Sequence, residues 1–468
     1  MPQQTQTDAS KMDPQNSAST VALVPGGPVM GTIRPPGSKS LTNRALICAA
    51  LASGTSRITG ALVSEDTEVM IDSLCKIGTE VKITDSGRVI TIEQRNTRKV
   101  RGTQNAPVEL YIANSGTSIR FLSAALSAIG GHYRLHGLPR MHERPIGDLG
   151  NAINSVISGS MAMESSEDCP PVLIHSDGWK QNELGVAGSV SSQYLSGLMM
   201  AAPASAIDSS TTPQPVTIQV HGELVSQPYV EMTASVMRAF GAEVELSRPT
   251  VTPDENLHVQ IGTQGYQGGE YEIEPDASAA SYFWAAAAIT GGSVEVLGLT
   301  PEAIQGDVNF CQALRKMGCD LTVGSNSMTI SGRAKNGIDI DMNEISDTVQ
   351  TLCVVALFAE GPTRIRGVAH NRFKETDRIG DLACELRKLG ADVQEHHDGL
   401  TVQASQAGLK GTVLETYQDH RMAMSLSLAG LNLPGVRISN PSCTAKTYPN
   451  YFADMELLLG RPHHWQRG

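Results

Sequence analysis

Positively charged residues recur in this sequence where a predicted strand gives way to a predicted helix. In the segment 35–44, Gly37 permits close approach of the backbone, and Lys39 stands beside serine hydroxyls that can cap a helix. Because a helix N-terminus attracts anions, this segment predicts a phosphate or carboxylate site, although an ordinary capped helix explains it about as well. The G-x-x-x-x-G-K spacing of a Walker loop is absent.

Further segments of the first half repeat this arrangement. Asn114 and Gly116 begin a predicted helix that carries Arg120, and Pro145 holds the preceding Arg144 in an extended conformation. Hydroxyl, amide and phenol groups that suit a phosphate ester occur at two other predicted helix starts: Ser191, Ser192, Gln193, Ser226 and Tyr229. Taken singly, helix capping explains each of them.

The second half adds carboxylates. Asp347 and Asp419 each precede an apolar predicted helix, and Glu375 lies in the charged run 371–378. Capping and solvated charge explain each segment alone, but not eight cations at matching junctions. A cleft that holds two small anionic substrates explains them together. These cations are Lys39, Arg44, Arg120, Arg144, Lys374, Arg378, Arg421 and Lys446.

The elements that must position these residues form an internal repeat. Each copy reads as a strand between glycines, an amphipathic helix and a further strand; the clearest copies begin at Gly54, Gly292 and Gly361, and weaker ones near 131, 216 and 435. Units of this size cannot bury their apolar faces alone. We therefore predict an α/β fold of two lobes, each of three units, with the site in the cleft between them.

The predicted boundaries follow composition. We expect a disordered polar tail over 1–20, one discontinuous lobe over 21–38 and 275–460, a second lobe over 39–274, and a short tail over 461–468. The tail 1–20 lacks the apolar region of a signal peptide, and the apolar stretch 282–289 is too short to cross a bilayer. We expect a cytoplasmic protein.

Composition excludes several classes of function. The chain has 468 residues and a formal net charge of −12, with only 4% aromatic residues, which argues against a nucleic-acid binder. The eight cysteines form no C-x-x-C pair and no cluster with zinc spacing, so we expect free thiols and no metal. No dinucleotide fingerprint or nucleophile elbow is present, and we expect no cofactor.

In combination, the motifs resemble the 5-enolpyruvylshikimate-3-phosphate synthase family of enolpyruvyl transferases, over about residues 21–459. The resemblance rests on Pro-Gly-Ser-Lys-Ser near 39, Asn-Ser-Gly-Thr at 114, Glu-Arg-Pro at 143, Ser-Ser-Gln at 191, Lys-Glu-Thr-Asp-Arg at 374, Asp-His-Arg-Met at 419 and Thr-Ala-Lys-Thr at 444. It implies three βαβαββ units in each lobe, as an inside-out α/β barrel with the helices inside.

The resemblance also implies the substrates. Shikimate 3-phosphate would contact Lys39, Ser40, Arg44, Ser191, Ser192, Gln193, Ser226, Tyr229, Asp347, Asn371 and Lys374. Phosphoenolpyruvate would contact Lys39, Asn114, Gly116, Arg144, Gln193, Arg378, Arg421 and Lys446. The implied partners are these two small molecules alone, without nucleic acid or membrane, and we expect a monomer.

By the same resemblance, the reaction is an addition followed by an elimination that releases phosphate, on the route to chorismate and the aromatic amino acids. Asp347 would act as the base on the 5-hydroxyl, and Glu375, helped by Lys39, would donate a proton to C3 of the enolpyruvyl group. Ser115 and Phe121 depart from the residues common in the family, and they flank the room at Gly116 that glyphosate uses in sensitive relatives. Sensitivity to glyphosate is therefore only a hypothesis.

Two other functions are compatible with parts of the pattern. The sister transferase that acts on UDP-N-acetylglucosamine shares the fold but usually carries a cysteine acid, and the segments 114–121 and 141–145 contain no cysteine. A non-catalytic anion-binding protein on the same scaffold would be expected to lose the carboxylates or the paired arginines, which are present. An assay of phosphate release distinguishes the three.

Overall fold

The computed structural model describes residues 19–93, 100–205, 214–247, 257–460 and 464–467; the predicted tail before residue 19 lies outside the described residues. The first part of the chain contains β1 (Ser19–Ala22), β2 (Met30–Ile33), α1 (Lys39–Leu51), β3 (Thr55–Thr59), α2 (Glu65–Lys76), β4 (Glu80–Thr84) and β5 (Val89–Glu93). It continues with β6 (Val108–Tyr111), α3 (Gly116–Ile129), β7 (Gly131–His136), α4 (Gly147–Asn154), β8 (Ile157–Met163), β9 (Val172–Trp179), β10 (Glu183–Ala187) and α5 (Ser192–Ala201).

The middle of the chain contains β11 (Val216–His221), α6 (Pro228–Ala239), β12 (Val244–Ser247), β13 (His258–Ile261), β14 (Glu270–Glu272), α7 (Ala277–Thr290), β15 (Ser293–Leu297), α8 (Phe310–Lys316), β16 (Asp320–Val323) and β17 (Ser327–Ser331). The last part contains β18 (Asp339–Asp341), α9 (Val349–Ala356), β19 (Thr363–Arg366), α10 (Gly380–Lys388), β20 (Ala391–His396), β21 (Gly399–Ala404), β22 (Val413–Leu414), α11 (His420–Ser427), β23 (Arg437–Ser439), α12 (Tyr451–Leu459) and β24 (His464–Arg467).

The described strands form six four-stranded sheets with one shared topology. In the continuous unit β6-α3-β7-α4-β8-β9, β6 pairs with β7 in parallel, β9 joins β7 antiparallel, and β8 lies outside β9. The units β10–β13 and β18–β21 repeat this order. The mixed α/β class predicted from the sequence and the βαβαββ units implied by the family resemblance are confirmed.

In the other three sheets, one strand comes from a distant part of the chain. β14 pairs in parallel with β3, and β2 pairs in parallel with β15. The short strand β1 lies between β23 and β24. Residues 464–467 therefore belong to a sheet rather than to the tail that the sequence predicted, because β24 finds its partner in β1, far away in sequence.

The first helix of each unit is buried on nearly every side, whereas the strands alternate between buried and exposed residues. All fourteen residues of α7 are buried, and Asp276 caps its first turn by accepting from the backbone N–H of Ala279. In β3 the buried residues are Ser56 and Ile58. A helix that is apolar all round must lie inside the protein, so the helices form the interior and the sheets cover them.

Buried apolar side chains form two separate clusters. One is drawn from residues 41–273, and the other from residues 21–29 together with 277–458. The chain passes between the clusters at residues 30–40 and 274–276. The division into lobes over 21–38 with 275–460 and over 39–274 stays a prediction.

One helix begins later than the sequence predicted. The apolar spacing of Ile379, Leu382, Leu386 and Leu389 predicts a helix over 377–389, but α10 begins at Gly380. The side chain of Asp377 accepts hydrogen bonds from the backbone N–H groups of Ile379 and Gly380, each at 3.0 Å, and so ends the preceding loop. Arg378 consequently lies outside the helix.

Candidate active site

The first charged residues of the site lie at the starts of helices. Lys39 is the first residue of α1, whose cap Ser38 accepts from the backbone N–H of Leu41. A side chain at Gly37 would overlap the carbonyl group of Gly60, so this position requires glycine. The Lys39 ammonium lies 3.2 Å from Asp66, at the start of α2. No sequence motif singled out Asp66 as a site residue.

The carboxylate of Asp347 is surrounded by cations. It lies 2.7 Å from Arg421, 3.4 Å from Arg378 and 3.9 Å from Lys374. Burial opposes ionisation of this carboxyl group, but the three cations outweigh burial and hold its pKa below the usual range. Asp347 is therefore a carboxylate in this arrangement.

A second carboxylate, Glu375, shares one of these cations. Arg378 lies 2.8 Å from Glu375 and also contacts the buried Asp419 at 2.7 Å. Lys446 lies 2.9 Å from Glu375 on another side. Burial again opposes ionisation, but Arg378 and Lys446 hold the pKa of Glu375 well below the usual range. Arg378 thus joins the two residues predicted to act as base and acid.

The helix start at Gly116 contributes two arginines. Arg144 donates to the backbone carbonyl of Asn114 at 3.0 Å and to its side-chain oxygen at 3.2 Å. Arg120 donates to the Gln193 side chain at 2.6 Å, and Gln193 donates to Thr117 at 3.3 Å. Burial lowers the pKa of Arg144 to about 10, which leaves it charged at neutral pH.

Hydroxyl groups predicted for phosphate binding meet residues that sequence reasoning missed. The Ser226 hydroxyl lies 3.2 Å from both Ser346 and His370. The Tyr229 phenol lies 3.0 Å from Asp347 and 3.3 Å from Asp307. His370, Ser346 and Asp307 stand in no local motif that would have singled them out.

One small cavity gathers most of these groups. Its volume is about 20 Å³, because the cations that line it pair with the carboxylates that line it. Nine of its eleven lining residues were predicted from the sequence, and Asp66 and Thr117 are additional. The nine are Lys39, Gly116, Arg144, Gln193, Asp347, Lys374, Glu375, Arg378 and Arg421.

The remaining predicted residues are not among those that line this cavity. Asn114 and Lys446 are hydrogen-bonded to each other at 2.9 Å. The Arg44 side chain donates to Thr233, Ser196 and two backbone carbonyls, and its guanidinium lies 5.1 Å from the ring centroid of Phe121. The others outside the lining are Ser40, Ser191, Ser192, Ser226, Tyr229 and Asn371.

The geometry permits general acid and base chemistry on a bound anion. Three carboxylates line one cavity, and the five cations that line it can neutralise phosphate and carboxylate groups there. Among the described residues, no group of three histidine, cysteine, aspartate and glutamate side chains could hold a metal ion. Within the same residues, no helix is long and apolar enough to span a bilayer.

Comparison with known proteins identifies the family. Residues 23–455 match the family of EPSP synthase (3-phosphoshikimate 1-carboxyvinyltransferase). Proteins named 3-phosphoshikimate 1-carboxyvinyltransferase from Marinomonas sp. (strain MWYL1) and Vibrio campbellii are 42% and 40% identical. The alignments cover 93% and 94% of this chain and 98% and 99% of the relatives.

Solved structures show the same fold. An EPSP synthase from Acinetobacter baumannii superposes with a TM-score of 0.74 at 24% identity, covering 96% of this chain and 99% of that one. The enolpyruvyl transferase NikO from Streptomyces tendae gives a TM-score of 0.72 at 18% identity, with the same coverage. The motifs, the repeats and these relatives agree: the chain is an enzyme that belongs to the EPSP synthase (3-phosphoshikimate 1-carboxyvinyltransferase) family.

Proposed function

We propose that this chain transfers the enolpyruvyl group of phosphoenolpyruvate to the 5-hydroxyl of shikimate 3-phosphate and releases phosphate. The observation that carries the proposal is the position of Arg378, which contacts Asp347 at 3.4 Å and Glu375 at 2.8 Å. One buried cation thereby fixes two carboxylates beside a single cavity. Addition followed by elimination needs a base and an acid around one carbon centre.

Asp347 is the proposed base on the 5-hydroxyl. Its carboxylate is ionised, as a base must be, but its cations make it a weak proton acceptor. When the anionic groups of the substrates bind Arg421, Lys374 or Arg378, these cations stabilise Asp347 less. The pKa of Asp347 then rises, and its basicity with it.

Glu375 is the proposed proton donor to C3, with Lys39 in support. Without substrate it is a carboxylate, so it must gain a proton before it can donate one. A phosphate that engages Arg378, Lys446 and Arg144 removes the cations that oppose protonation of Glu375. Substrate binding therefore prepares the acid and the base by the same exchange of partners.

The same cations would hold the phosphate as it leaves the tetrahedral intermediate. We propose the substrate contacts that the family resemblance implies. For shikimate 3-phosphate these are Lys39, Ser40, Arg44, Ser191, Ser192, Gln193, Ser226, Tyr229, Asp347, Asn371 and Lys374. For phosphoenolpyruvate they are Lys39, Asn114, Gly116, Arg144, Gln193, Arg378, Arg421 and Lys446.

We further propose that the two apolar clusters are the cores of two lobes, 39–274 and 21–38 with 275–460, which close over the substrates. Supporting contacts join residues of the two lobes. Arg140 donates to the backbone carbonyls of Glu375 and Lys374 at 3.2 and 3.3 Å, and Lys446 donates to that of Asn114. A cavity of about 20 Å³ cannot admit either substrate, so entry requires the lobes to separate.

The assay that tests the function measures phosphate release with phosphoenolpyruvate plus shikimate 3-phosphate, and then with UDP-N-acetylglucosamine as acceptor. We expect turnover with the first pair alone. No turnover with that pair would overturn the proposal. Asp347→Ala should abolish turnover while calorimetry still detects phosphoenolpyruvate binding; loss of all binding would assign Asp347 a structural role.

We also propose a cytoplasmic monomer without a cofactor. All eight cysteines are free thiols, which suits a reducing compartment. Size-exclusion chromatography with light scattering tests the oligomeric state, and a mass of twice 49.7 kDa would contradict it.

A further inference from the structure

Asp307 is a buried carboxyl group with no assigned role in the reaction. It lies in the short 3-10 segment Gly306–Asn309 and is 4% exposed. Its Oδ2 atom lies 3.3 Å from the phenol oxygen of Tyr229 and is hydrogen-bonded to the hydroxyl of Ser278. The same phenol oxygen lies 3.0 Å from Oδ2 of Asp347, the proposed base. One phenol therefore lies between two carboxyl groups.

The number of protons limits which hydrogen bonds this arrangement can contain. A phenol has one proton, so it can donate to one carboxylate only. The other contact is a hydrogen bond only if that carboxyl group brings a proton of its own. Asp347 has cations at 2.7, 3.4 and 3.9 Å and is ionised.

Asp307 has no such support. Within the described part of the chain it forms no ion pair, and its Oδ1 atom is buried without a hydrogen-bond partner. A buried oxygen without a partner is tolerated more easily in a neutral acid than in a carboxylate. The surroundings therefore place the extra proton on Asp307.

We propose that Asp307 is a neutral carboxylic acid that donates to the Tyr229 oxygen and thereby directs the phenol proton of Tyr229 to Asp347. Asp307 is thus a positioning residue, and both protons stay on their own oxygens. The role rests on the proposed function of Asp347 as base. The hydroxyl of Ser278, donating to the same Oδ2 atom, fixes the orientation of the acid.

The electrostatic surroundings of Asp307 agree with this arrangement. Burial raises its pKa to about 7; the neighbouring carboxylates Asp347 and Asp276 act in the same direction, while Arg421 and the Ser278 hydrogen bond oppose them. The phenol that faces it is neutral, because burial raises the pKa of Tyr229 well above its usual value. As the pH rises through about 7, Asp307 becomes a carboxylate, competes for the phenol proton and repels the anionic substrates.

The first test is the pH profile of kcat/KM for shikimate 3-phosphate, which reports groups of the free enzyme. In the unmodified enzyme we expect a decline above about pH 7, approaching tenfold per pH unit. Asp307→Asn keeps the shape of the neutral acid, so its profile should lack this decline, with kcat/KM at pH 6 within about threefold. A loss of more than about a hundredfold at pH 6 with the fold intact would overturn the proposal, since it would require a carboxylate.

A matched control makes the same change at another tyrosine–aspartate pair. The Tyr448 phenol donates to Asp454 at 2.7 Å, outside the catalytic cavity. Asp454→Asn should keep the alkaline decline. If both variants lose it, the decline does not report Asp307 and the proposal is wrong.

The second test does not depend on activity. The unfolded chain releases the Asp307 proton from about pH 4, whereas the folded chain holds it up to about pH 7, so the stability of the fold decreases progressively over this range. The difference in melting temperature, Asp307→Asn minus unmodified enzyme, should therefore increase from pH 5 to pH 8.5. A difference that is independent of pH would overturn the neutral acid, whether or not the enzyme turns over the proposed substrates.

If Asp307→Asn does not fold, infrared spectra of the unmodified enzyme test the same point. We expect a carbonyl band of a protonated carboxylic acid at pH 6 that disappears above pH 8. Absence of the band at pH 6 would overturn the proposal.

Discussion

The ammonium group of Lys446 lies 2.9 Å from the carboxylate of Glu375, and it donates at the same distance to the backbone carbonyl of Asn114. Asn114 and Lys446 are 332 residues apart in sequence. One cation therefore joins the proposed proton donor to the helix start that carries Gly116. The same side chain therefore contacts the proposed proton donor and a distant part of the chain.

Lys446→Met should lower kcat/KM by about a hundredfold or more, because the site loses a cation that would stabilise the departing phosphate. The limb of its pH profile on which activity falls as Glu375 loses its proton should also move to higher pH, since Lys446 is one of the cations that hold down the pKa of Glu375. Steady-state kinetics across pH check both effects. The exposed Lys180, which also donates to a backbone carbonyl, provides the control Lys180→Met. Equal activity of both variants would contradict this role.

Gly116→Ala should raise the KM for phosphoenolpyruvate by about tenfold, or about 1.4 kcal/mol in binding. A methyl group there would lie 2.8 Å from Cζ of Arg144 and 3.0 Å from a guanidinium nitrogen of Arg120, so both arginines must move. Calorimetric titration measures the affinity. At Gly269 no atom lies within 4 Å of an added methyl group, and Gly269→Ala should bind normally. Normal affinity in Gly116→Ala would show that Arg144 does not position the ligand.

Arg378→Lys should destabilise the fold by about 3–5 kcal/mol as well as abolish activity. A lysine cannot contact Asp419, Glu375 and Asp347 at once, and the buried Asp419 would lose its cation. Urea unfolding gives the free energy. The exposed pair Arg366–Asp339, at 2.7 Å, allows the same substitution as a control, for which we expect no measurable change. Full stability of Arg378→Lys would be incompatible with this account.

Phe121 should be coupled energetically to Arg44. The guanidinium of Arg44 lies 5.1 Å from the centroid of the Phe121 ring, and both side chains are buried. A double-mutant cycle with Arg44→Met and Phe121→Leu, followed by urea unfolding, should give a coupling of about 1–2 kcal/mol. The same cycle with Phe283→Leu, in the other apolar cluster, should give about zero. Absence of coupling in the first cycle would show that the two side chains only pack against each other, without a cation–π interaction.

Local sequence was enough for the elements of the fold and for most of the cavity. Apolar spacing and terminal glycines predicted the repeating strands and helices, because both features are properties of neighbouring residues. Cations at successive strand–helix junctions predicted one anion-binding site, because equivalent junctions of repeated units lie at equivalent positions in the fold. Lys39, Arg144, Arg378 and Arg421 all line the cavity for this reason.

Only the tertiary structure determines which residues that are distant in sequence contact each other. Asp66 and Asp307 stand in unremarkable helical segments, and only packing brings them to Lys39 and to Tyr229. Arg44, which the sequence presents like the other cations, donates to Thr233 and Ser196 and is not among the residues that line the cavity. The sequence alone determines which charged residues lie at the starts of the helices. The tertiary structure determines which of these charges line the cavity, because burial and the final set of neighbours depend on contacts that form only in the folded chain.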